Sequence, residues 1–202
     1  MARVPAAPPR AWQRMLSGRR LDLIDPSPFD IEIEDIAHGL ARVARWNGQT
    51  RGAHIFSVAQ HSLLVEAVAR QLRTDLPART LLAILLHDAA EYVIGDMISP
   101  LKAMLNDSYK AVELRILAAV MVRFGLPPAP SREVLALTKQ ADAIAAYHEA
   151  VTLAGFEEQE AERFFGRRVA LPHELVAMLE PWSASEAKER YLARVVSILP
   201  HA

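Results

Sequence analysis

The chain has 202 residues, of which 51% are hydrophobic and 23% are charged, so it can bury a sizeable core and wholesale disorder is excluded. Its 23 lysine and arginine residues nearly balance 24 aspartate and glutamate residues, and this lack of a basic excess argues against nucleic acid as a partner. The absence of cysteine excludes disulfide scaffolds, thiol catalysis and cysteine-ligated zinc, and it is consistent with a cytoplasmic location.

Two features of the sequence bear on membranes and targeting. The charge-free apolar run 116–122 is far shorter than the roughly 20 residues that a membrane-spanning helix needs, so we expect no membrane partner. The first segment, MARVPAAPPRAW, lacks an apolar stretch, and we therefore expect no signal peptide.

The N-terminal part of the chain is rich in proline. We expect the first ten residues to form a disordered tail, and the segment LDLIDPSPFDIEIED to form a proline-interrupted arm. The expected organisation is a tail and arm over residues 1–29, followed by a single helical domain over residues 30–202.

Helical spacing of apolar residues recurs along the rest of the chain, whereas alternating segments are scarce, so the sequence predicts an all-α fold. Ser57 and Ser183 each precede a glutamine or glutamate by three residues, as in a capping box, and Ser131 is a third candidate helix cap. In chain order, the predicted helices cover about residues 33–44, 58–72, 77–93, 100–105, 107–123, 131–153, 155–168 and 183–199.

Two histidines lie within strongly apolar helical patterns, His61 in SVAQHSLLV and His87 in AILLHDAAE. A lone histidine on an apolar face is more often a satisfied core residue than a ligand. That explanation is weaker for His87, because Asp88 follows directly and a buried carboxylate without a cation is costly. Neutral imidazole and carboxylate together are good ligands for a divalent metal ion.

Further carboxylates add to this pattern. Glu91 follows Asp88 by three residues, a spacing that puts both side chains on one surface of a helix. Asp96 lies just beyond Gly95, where the chain can turn back, and Asp142 lies in an alanine-rich helical stretch. Taken alone, Asp142 could equally be a solvated helix residue.

The order of a histidine, a His-Asp pair and an aspartate on three predicted helices resembles the HD-domain metal-dependent phosphohydrolases. The segment HDAAEYVIGDMISPLK is similar to the corresponding stretch of the bacterial 5'-deoxynucleotidases, the YfbR-like branch of that superfamily. The segment RWNGQTRGAHIFSVAQHSLLV resembles the same branch through an Arg-Trp pair ahead of the first histidine. The resemblance extends over residues 45–151 and is weaker on either side.

The resemblance implies an HD-type helical bundle that holds one divalent metal ion, which could be Co, Mn, Mg, Fe or Zn. The ligands that it implies are His61, His87, Asp88 and Asp142. Two-metal members need extra histidines between the His-Asp pair and the final aspartate, whereas this chain has none from residue 89 to residue 142. We therefore expect a single metal, although His54 or His148 could still approach the site.

Candidate roles around the metal follow from spacing and from the resemblance. Glu91 is the candidate to take a proton from the attacking water, and Asp96 is the candidate to protonate the leaving 5'-oxygen or to hold the sugar. Arg45 and Lys102 are candidate phosphate-binding residues. Trp46 is suited to cover a sugar or base, and a tryptophan here disfavours a ribose 2'-hydroxyl in similar proteins; alternatively, it is a core residue that anchors the first helix.

The leading hypothesis is a metal-dependent phosphomonoesterase that hydrolyses nucleoside 5'-monophosphates, with deoxyribonucleotides favoured, to nucleoside and phosphate. One alternative is an HD-type phosphodiesterase or pyrophosphohydrolase that acts on cyclic or polyphosphate nucleotides at the same metal site. Another is a non-catalytic helical binding module, which is disfavoured because such proteins usually lose metal ligands. The resemblance and the apolar content of the fifth and final helices also suggest a homodimer.

Overall fold

The computed structural model describes residues 10–105 and 107–199. Within these ranges the chain forms ten helices and one two-stranded antiparallel sheet, which confirms the predicted all-α class. The strands are β1 (Trp12–Arg14) and β2 (Arg20–Asp22). The helices are α1 (Ile33–Leu40), α2 (Val58–Leu72), α3 (Ala78–Leu85), α4 (Glu91–Ile94), α5 (Ser99–Met104), α6 (Asp107–Arg123), α7 (Arg132–Thr152), α8 (Glu158–Phe165), α9 (His173–Ala177) and α10 (Ala184–Ile198). A 3-10 turn at Pro28–Asp30 and an irregular turn at Arg45–Gly48 flank α1.

The central helix of the bundle is α2. All of residues 58–69 are buried, because α3, α7 and α10 pack against this helix from different sides. Ser57 caps the helix by accepting a hydrogen bond from the backbone N–H of Gln60 at 3.3 Å. The reciprocal half of the predicted capping box is absent, since the Gln60 amide instead donates to the backbone carbonyls of Met178 and Glu180.

The other two predicted serine caps are confirmed. Ser131 accepts from the backbone N–H of Val134 at 3.3 Å, and Ser183 accepts from that of Glu186 at 3.2 Å. The side chain of Glu186 binds Arg190, one turn further along the helix, rather than returning to the cap. The bounds of α7 and α10 accordingly lie close to the predicted ones.

The prediction of one helix over residues 77–93 is wrong. The helix α3 ends at Leu85, α4 begins at Glu91, and the residues between them form tight turns closed by hydrogen bonds three residues apart. Apolar residues continue across the break at helical spacing, so periodicity alone does not locate it. His87 and Asp88 therefore lie on a turn between two helices rather than on a helix surface.

The first predicted helix is shorter than expected. It ends at Leu40 rather than at residue 44, and the chain then extends so that Ala44 forms an antiparallel bridge with Ser57. This bridge holds the segment that carries Arg45 and Trp46 beside the first turn of α2.

The N-terminal arm contains a hairpin that the sequence analysis did not predict, because its strands have three residues each and show no clear alternation. Gly18 turns the chain with a φ of 89°, a conformation that favours glycine. Leu21 on β2 is fully buried in the main hydrophobic core, so the arm packs onto the helices. The expected disordered tail lies outside the described residues, apart from Arg10.

The outer surface of the bundle carries scattered apolar side chains. On α6, Leu114 and Val122 are about half exposed. Nothing in the structure tests the homodimer, which stays a prediction. None of the described helices combines the length and the apolar character that crossing a membrane requires.

Candidate metal centre

The first functional side chain is His61 on α2, which is fully buried. Its Nδ1 atom lies 2.6 Å from Oε1 of Glu149. An ionised carboxylate only accepts hydrogen bonds, so Nδ1 donates and Nε2 is the ring nitrogen left to bind a metal ion. That Nε2 atom lies 3.3 Å from Oδ1 of Asp142 and 3.5 Å from Oδ2 of Asp88.

The second functional side chain is His87, on the turn after α3. Its Nδ1 atom donates to the backbone carbonyl of Ile84 at 2.9 Å, which again leaves the lone pair on Nε2. This Nε2 atom lies 3.2 Å from Oδ2 of Asp88. Three ligand atoms, one each from His61, His87 and Asp88, therefore lie within 4.8 Å of one another.

These atoms fit a divalent cation. The Nε2 atoms of His61 and His87 are both buried and have no hydrogen-bond partner, which is costly unless a cation satisfies them. Two imidazole nitrogens and a carboxylate oxygen form a donor set that divalent transition metals accept. Three of the four predicted ligands thus form one cluster, and the fourth, Asp142 on α7, approaches it beside His61.

The two other histidines considered as ligands do not join this cluster. His148 is turned to the backbone carbonyl of Val169, which lies 2.8 Å from its Nε2 atom, and His54 is exposed. Within residues 10–105 and 107–199, the cluster is the only group of three or more side chains that could hold a metal ion. The number of metal ions stays a prediction.

The charges around the cluster favour a cation. Burial and the charge of Arg45 lower the pKa of His61, but Glu149 and Asp142 raise it by more, to about 10. Burial raises the pKa of Asp88, but the two histidines and Arg45 lower it by more, to well below its usual range. The carboxylates therefore stabilise positive charge at the position of His61, and a divalent cation brings such charge.

A buried carboxyl group, Glu91, lies at the start of α4 and is 2% exposed. Its Oε1 atom lies 3.5 Å from Nζ of Lys102, which also donates to Glu113 at 3.1 Å. Burial and the charges of Asp88 and Asp96 raise the pKa of Glu91 to about 9. Lys102, predicted to bind phosphate, is thus already paired with two acidic residues.

Arg45 lies between two carboxylates. Its Nη1 atom donates to Oδ2 of Asp96 at 3.1 Å, and its Nε atom lies 3.5 Å from Oε2 of Glu149. Burial lowers the pKa of Arg45, but these carboxylates raise it by more, so the guanidinium is firmly charged. The pairing brings the loop after α4 against the turn that follows α1.

Trp46 adopts a left-handed backbone conformation, with φ 58° and ψ 27°, which residues other than glycine rarely adopt. Its indole Nε1–H donates to Oε2 of Glu149 at 3.0 Å. Its ring packs against Phe156 and Phe165, with centroid separations of 5.6 Å and 5.8 Å. Trp46 is therefore anchored towards α7 and α8 rather than to α1, and it remains partly exposed.

Two residues outside the predicted set contact the site. Glu149 follows Asp142 by seven residues, two helical turns, so the sequence did contain a signal that both lie on one face of α7. Glu113 on α6 is brought to Lys102 only by the packing of α6, and no local pattern indicates this contact.

Comparisons with known proteins agree with this geometry. A family model described as the HD domain matches residues 58–150, a range that contains the whole cluster. An uncharacterized protein of Rhodobacter capsulatus is 58% identical over 161 residues, which cover 78% of this chain and 81% of that relative. The uncharacterized protein YfdR of Escherichia coli is 37% identical over 105 residues, which cover 52% of this chain and 53% of YfdR. Neither name assigns an activity.

Proposed function

We propose that this chain, in which a family model described as the HD domain matches residues 58–150, is a metal-dependent phosphohydrolase that hydrolyses nucleoside 5'-monophosphates to nucleoside and phosphate. The observation that carries the proposal is the pair of buried, unpartnered Nε2 atoms of His61 and His87 beside Asp88. The choice of a nucleoside monophosphate rests on the similarity of the segment HDAAEYVIGDMISPLK to the 5'-deoxynucleotidases.

The residues that would hold the metal are His61, His87, Asp88 and Asp142. A divalent cation there supplies positive charge that offsets the phosphate dianion and makes water more acidic. The remaining tasks fall to side chains of this chain: binding the phosphate, accepting the proton of the attacking water and protonating the leaving group.

Glu91 is the proposed general base. Its Oε2 atom is buried and has no hydrogen-bond partner, so it is available to accept a proton. With a pKa of about 9 the carboxyl group is protonated at neutral pH, but positive charge at the neighbouring cluster stabilises the carboxylate and lowers that pKa. Glu91 therefore becomes a competent base when the cluster is charged.

Arg45 and Lys102 are the proposed phosphate-binding residues. The guanidinium offers a fork of donors to phosphate oxygens, and the ammonium offers a point charge. Both groups are paired with acidic side chains, Arg45 with Asp96 and Lys102 with Glu91 and Glu113. To bind a phosphate dianion, the side chains of Arg45 and Lys102 must therefore share it with their acidic partners or exchange those partners for it.

Trp46 is proposed to cover the sugar and to disfavour a ribose 2'-hydroxyl, which makes deoxyribonucleotides the preferred substrates. The partial exposure of the ring and its anchoring by Glu149, Phe156 and Phe165 support a fixed wall rather than a mobile side chain. Deoxyribonucleotides should accordingly show a higher kcat/KM than their ribonucleotide counterparts.

Asp96 is the proposed donor of a proton to the leaving 5'-oxygen, but its Oδ2 atom also accepts from Arg45. The variant Asp96→Asn separates these two roles. Proton donation matters little for p-nitrophenyl phosphate, because its leaving group is weakly basic. Loss of nucleotide hydrolysis alone supports proton donation, whereas an equal loss on both substrates supports a role in holding Arg45.

The direct test is phosphate release from a panel of nucleoside 5'-monophosphates by the protein loaded with Co, Mn, Mg, Fe or Zn. We expect release with at least one ion and loss of activity with a chelator. If no nucleoside monophosphate is hydrolysed with any ion, the proposal is wrong. Phosphorus NMR of reactions with cyclic and polyphosphate nucleotides distinguishes the phosphodiesterase and pyrophosphohydrolase alternatives by their products.

We also propose a homodimer, for which the half-exposed apolar side chains of Leu114 and Val122 on α6 offer a contact surface. Light scattering on the purified protein should give twice the mass of one chain. A mass equal to that of a single chain contradicts this proposal and leaves the hydrolytic one unaffected.

A further inference from the structure

A single carboxyl group, that of Glu149 on α7, connects the metal cluster to the turn that carries Arg45 and Trp46. The side chain is completely buried. Its two oxygens face the ring nitrogen Nδ1 of His61, the indole N–H of Trp46 and the guanidinium of Arg45, as expected for a carboxylate that only accepts hydrogen bonds. A fully buried carboxylate is retained in a fold only when its oxygens are satisfied, and here each oxygen has a different task.

The Oε1 atom of Glu149 fixes the hydrogen position on His61. At 2.6 Å it accepts from Nδ1, so Nε2 is the ring nitrogen that faces the cluster and can bind a metal ion. A carboxylate that accepts from the other ring nitrogen of a histidine ligand orients the ring and makes it a better ligand.

The Oε2 atom of Glu149 holds the neighbouring turn. It accepts from the indole N–H of Trp46 at 3.0 Å, and Nε of Arg45 lies 3.5 Å away. Trp46 and Asn47 both have positive φ, 58° and 50°, and such backbone geometry persists only where surrounding contacts enforce it. Glu149 is one of those contacts.

We propose that Glu149 is a positioning residue that couples the metal centre to the Arg45–Trp46 turn. Metal binding at His61 should therefore change the environment of the Trp46 indole. An effect of the turn on a substrate rests on the proposed function. The effect of Glu149 on the metal ligand His61 does not. Coupling between two sites is reciprocal, so ligands of the turn should also change metal affinity.

The variant Glu149→Gln keeps the size of the side chain and breaks this arrangement. The amide has one accepting oxygen and one donating NH2 group. Two donors, Trp46 Nε1 and Arg45 Nε, face the Oε2 position, so the amide oxygen stays there. The NH2 group then faces His61 Nδ1, which moves the ring hydrogen to Nε2 and blocks the lone pair.

The first measurement is zinc affinity by calorimetry. We expect Glu149→Gln to bind zinc about 10- to 100-fold more weakly than the wild type, the usual effect of losing such a partner. The matched control is Glu133→Gln, on the exposed first turn of the same helix, which should leave zinc affinity unchanged. A folded Glu149→Gln protein with wild-type zinc affinity overturns the proposal.

The second measurement follows the indole N–H signals of the wild type by 15N–1H NMR during zinc addition, with Trp46 assigned from Trp46→Phe. The chain has three tryptophans, and we expect the Trp46 signal to shift while those of Trp12 and Trp182 stay in place. In Glu149→Gln the Trp46 response should disappear. A Trp46 signal in the wild type that does not respond to bound zinc overturns the coupling.

The wild-type titration decides the outcome even if Glu149→Gln fails to fold, as judged by circular dichroism. Neither measurement uses a nucleotide. A protein that releases no phosphate from nucleotides but shows both zinc effects would therefore disprove the proposed function and leave the role of Glu149 intact.

Discussion

The two sides of the site differ in how their polar groups are satisfied. On the metal side, the backbone and Glu149 bind the Nδ1 atoms of His61 and His87 and leave both Nε2 atoms unpartnered. On the proposed substrate side, Arg45 and Lys102 are already paired with acidic side chains. The metal side can thus receive a cation while the hydrogen bonds of both Nδ1 atoms stay in place, whereas the proposed substrate side must exchange partners to receive an anion.

This difference predicts that binding a phosphate costs more free energy in lost contacts than binding a metal ion. A cluster whose ligand side chains are already held together needs little rearrangement when it takes up an ion. A phosphate dianion must instead compete with Asp96, Glu149, Glu91 and Glu113 for the two cations. Substitutions on the metal side should therefore abolish function, and those on the substrate side should produce graded effects.

The largest effect is expected for Asp88→Ala, which removes the carboxylate that contacts both histidines. Metal content by elemental analysis and turnover should both be lost, because the two Nε2 atoms alone form an incomplete site. The matched control is Asp25→Ala, which removes an exposed carboxylate on the arm. This variant should keep both its metal content and its turnover. An Asp88→Ala protein that retains one bound metal ion would contradict this account of the metal side.

The next effect is expected for Glu91→Gln, which removes the proposed base but keeps the shape of the side chain. We expect kcat to fall by about 10²- to 10⁴-fold while metal content stays at the wild-type value. If metal content falls together with kcat, Glu91 helps to hold the metal ion, and the claimed difference between the two sides of the site is wrong. Steady-state kinetics and elemental analysis on one preparation provide both values.

A smaller effect is expected for Arg45→Lys. The positive charge is kept, but the guanidinium that donates to Asp96, and that we propose also binds phosphate, is lost. We expect KM to rise by about tenfold with a lesser change in kcat, since one bidentate contact is worth roughly 1.4 kcal/mol. A strong fall in kcat at constant KM would indicate that Arg45 acts in the transition state alone.

The smallest effect is expected for Gly39→Ala, which acts on the packing beneath the substrate side. A Cβ atom at Gly39 would lie 2.6 Å from the backbone oxygen of Tyr92, so α4 must move and carry Glu91 with it. We expect the free energy of unfolding to fall by about 1–3 kcal/mol and kcat to fall severalfold, with zinc affinity unchanged. Glu34→Ala, an exposed change on the same helix, should affect none of these.

Local signals in the sequence were sufficient for much of the fold, and they pointed to polar residues that the resemblance to the HD-domain phosphohydrolases then implied as metal ligands. Ser131 and Ser183 begin helices because a serine side chain can satisfy the first amides by itself. His61, His87 and Asp88 were identifiable because polar residues interrupt apolar patterns. These inferences need no knowledge of distant contacts.

The proposed substrate side depends on contacts between residues that are distant in sequence. Local sequence patterns could not predict these contacts. The break after Leu85 interrupts no apolar pattern, and the hairpin around Gly18 has strands too short to show alternation. The pairing of Lys102 with Glu113 depends on how α6 packs. Similarly, the left-handed conformation of Trp46 is held partly by Glu149, which lies far along the chain.

Anomalous diffraction from crystals soaked in manganese or zinc tests the central claim most directly. The account predicts a single peak per chain, in contact with Nε2 of both His61 and His87 and with a carboxylate oxygen of Asp88. A map with no peak between the two imidazoles, or with the ion bound elsewhere on the chain, would contradict it.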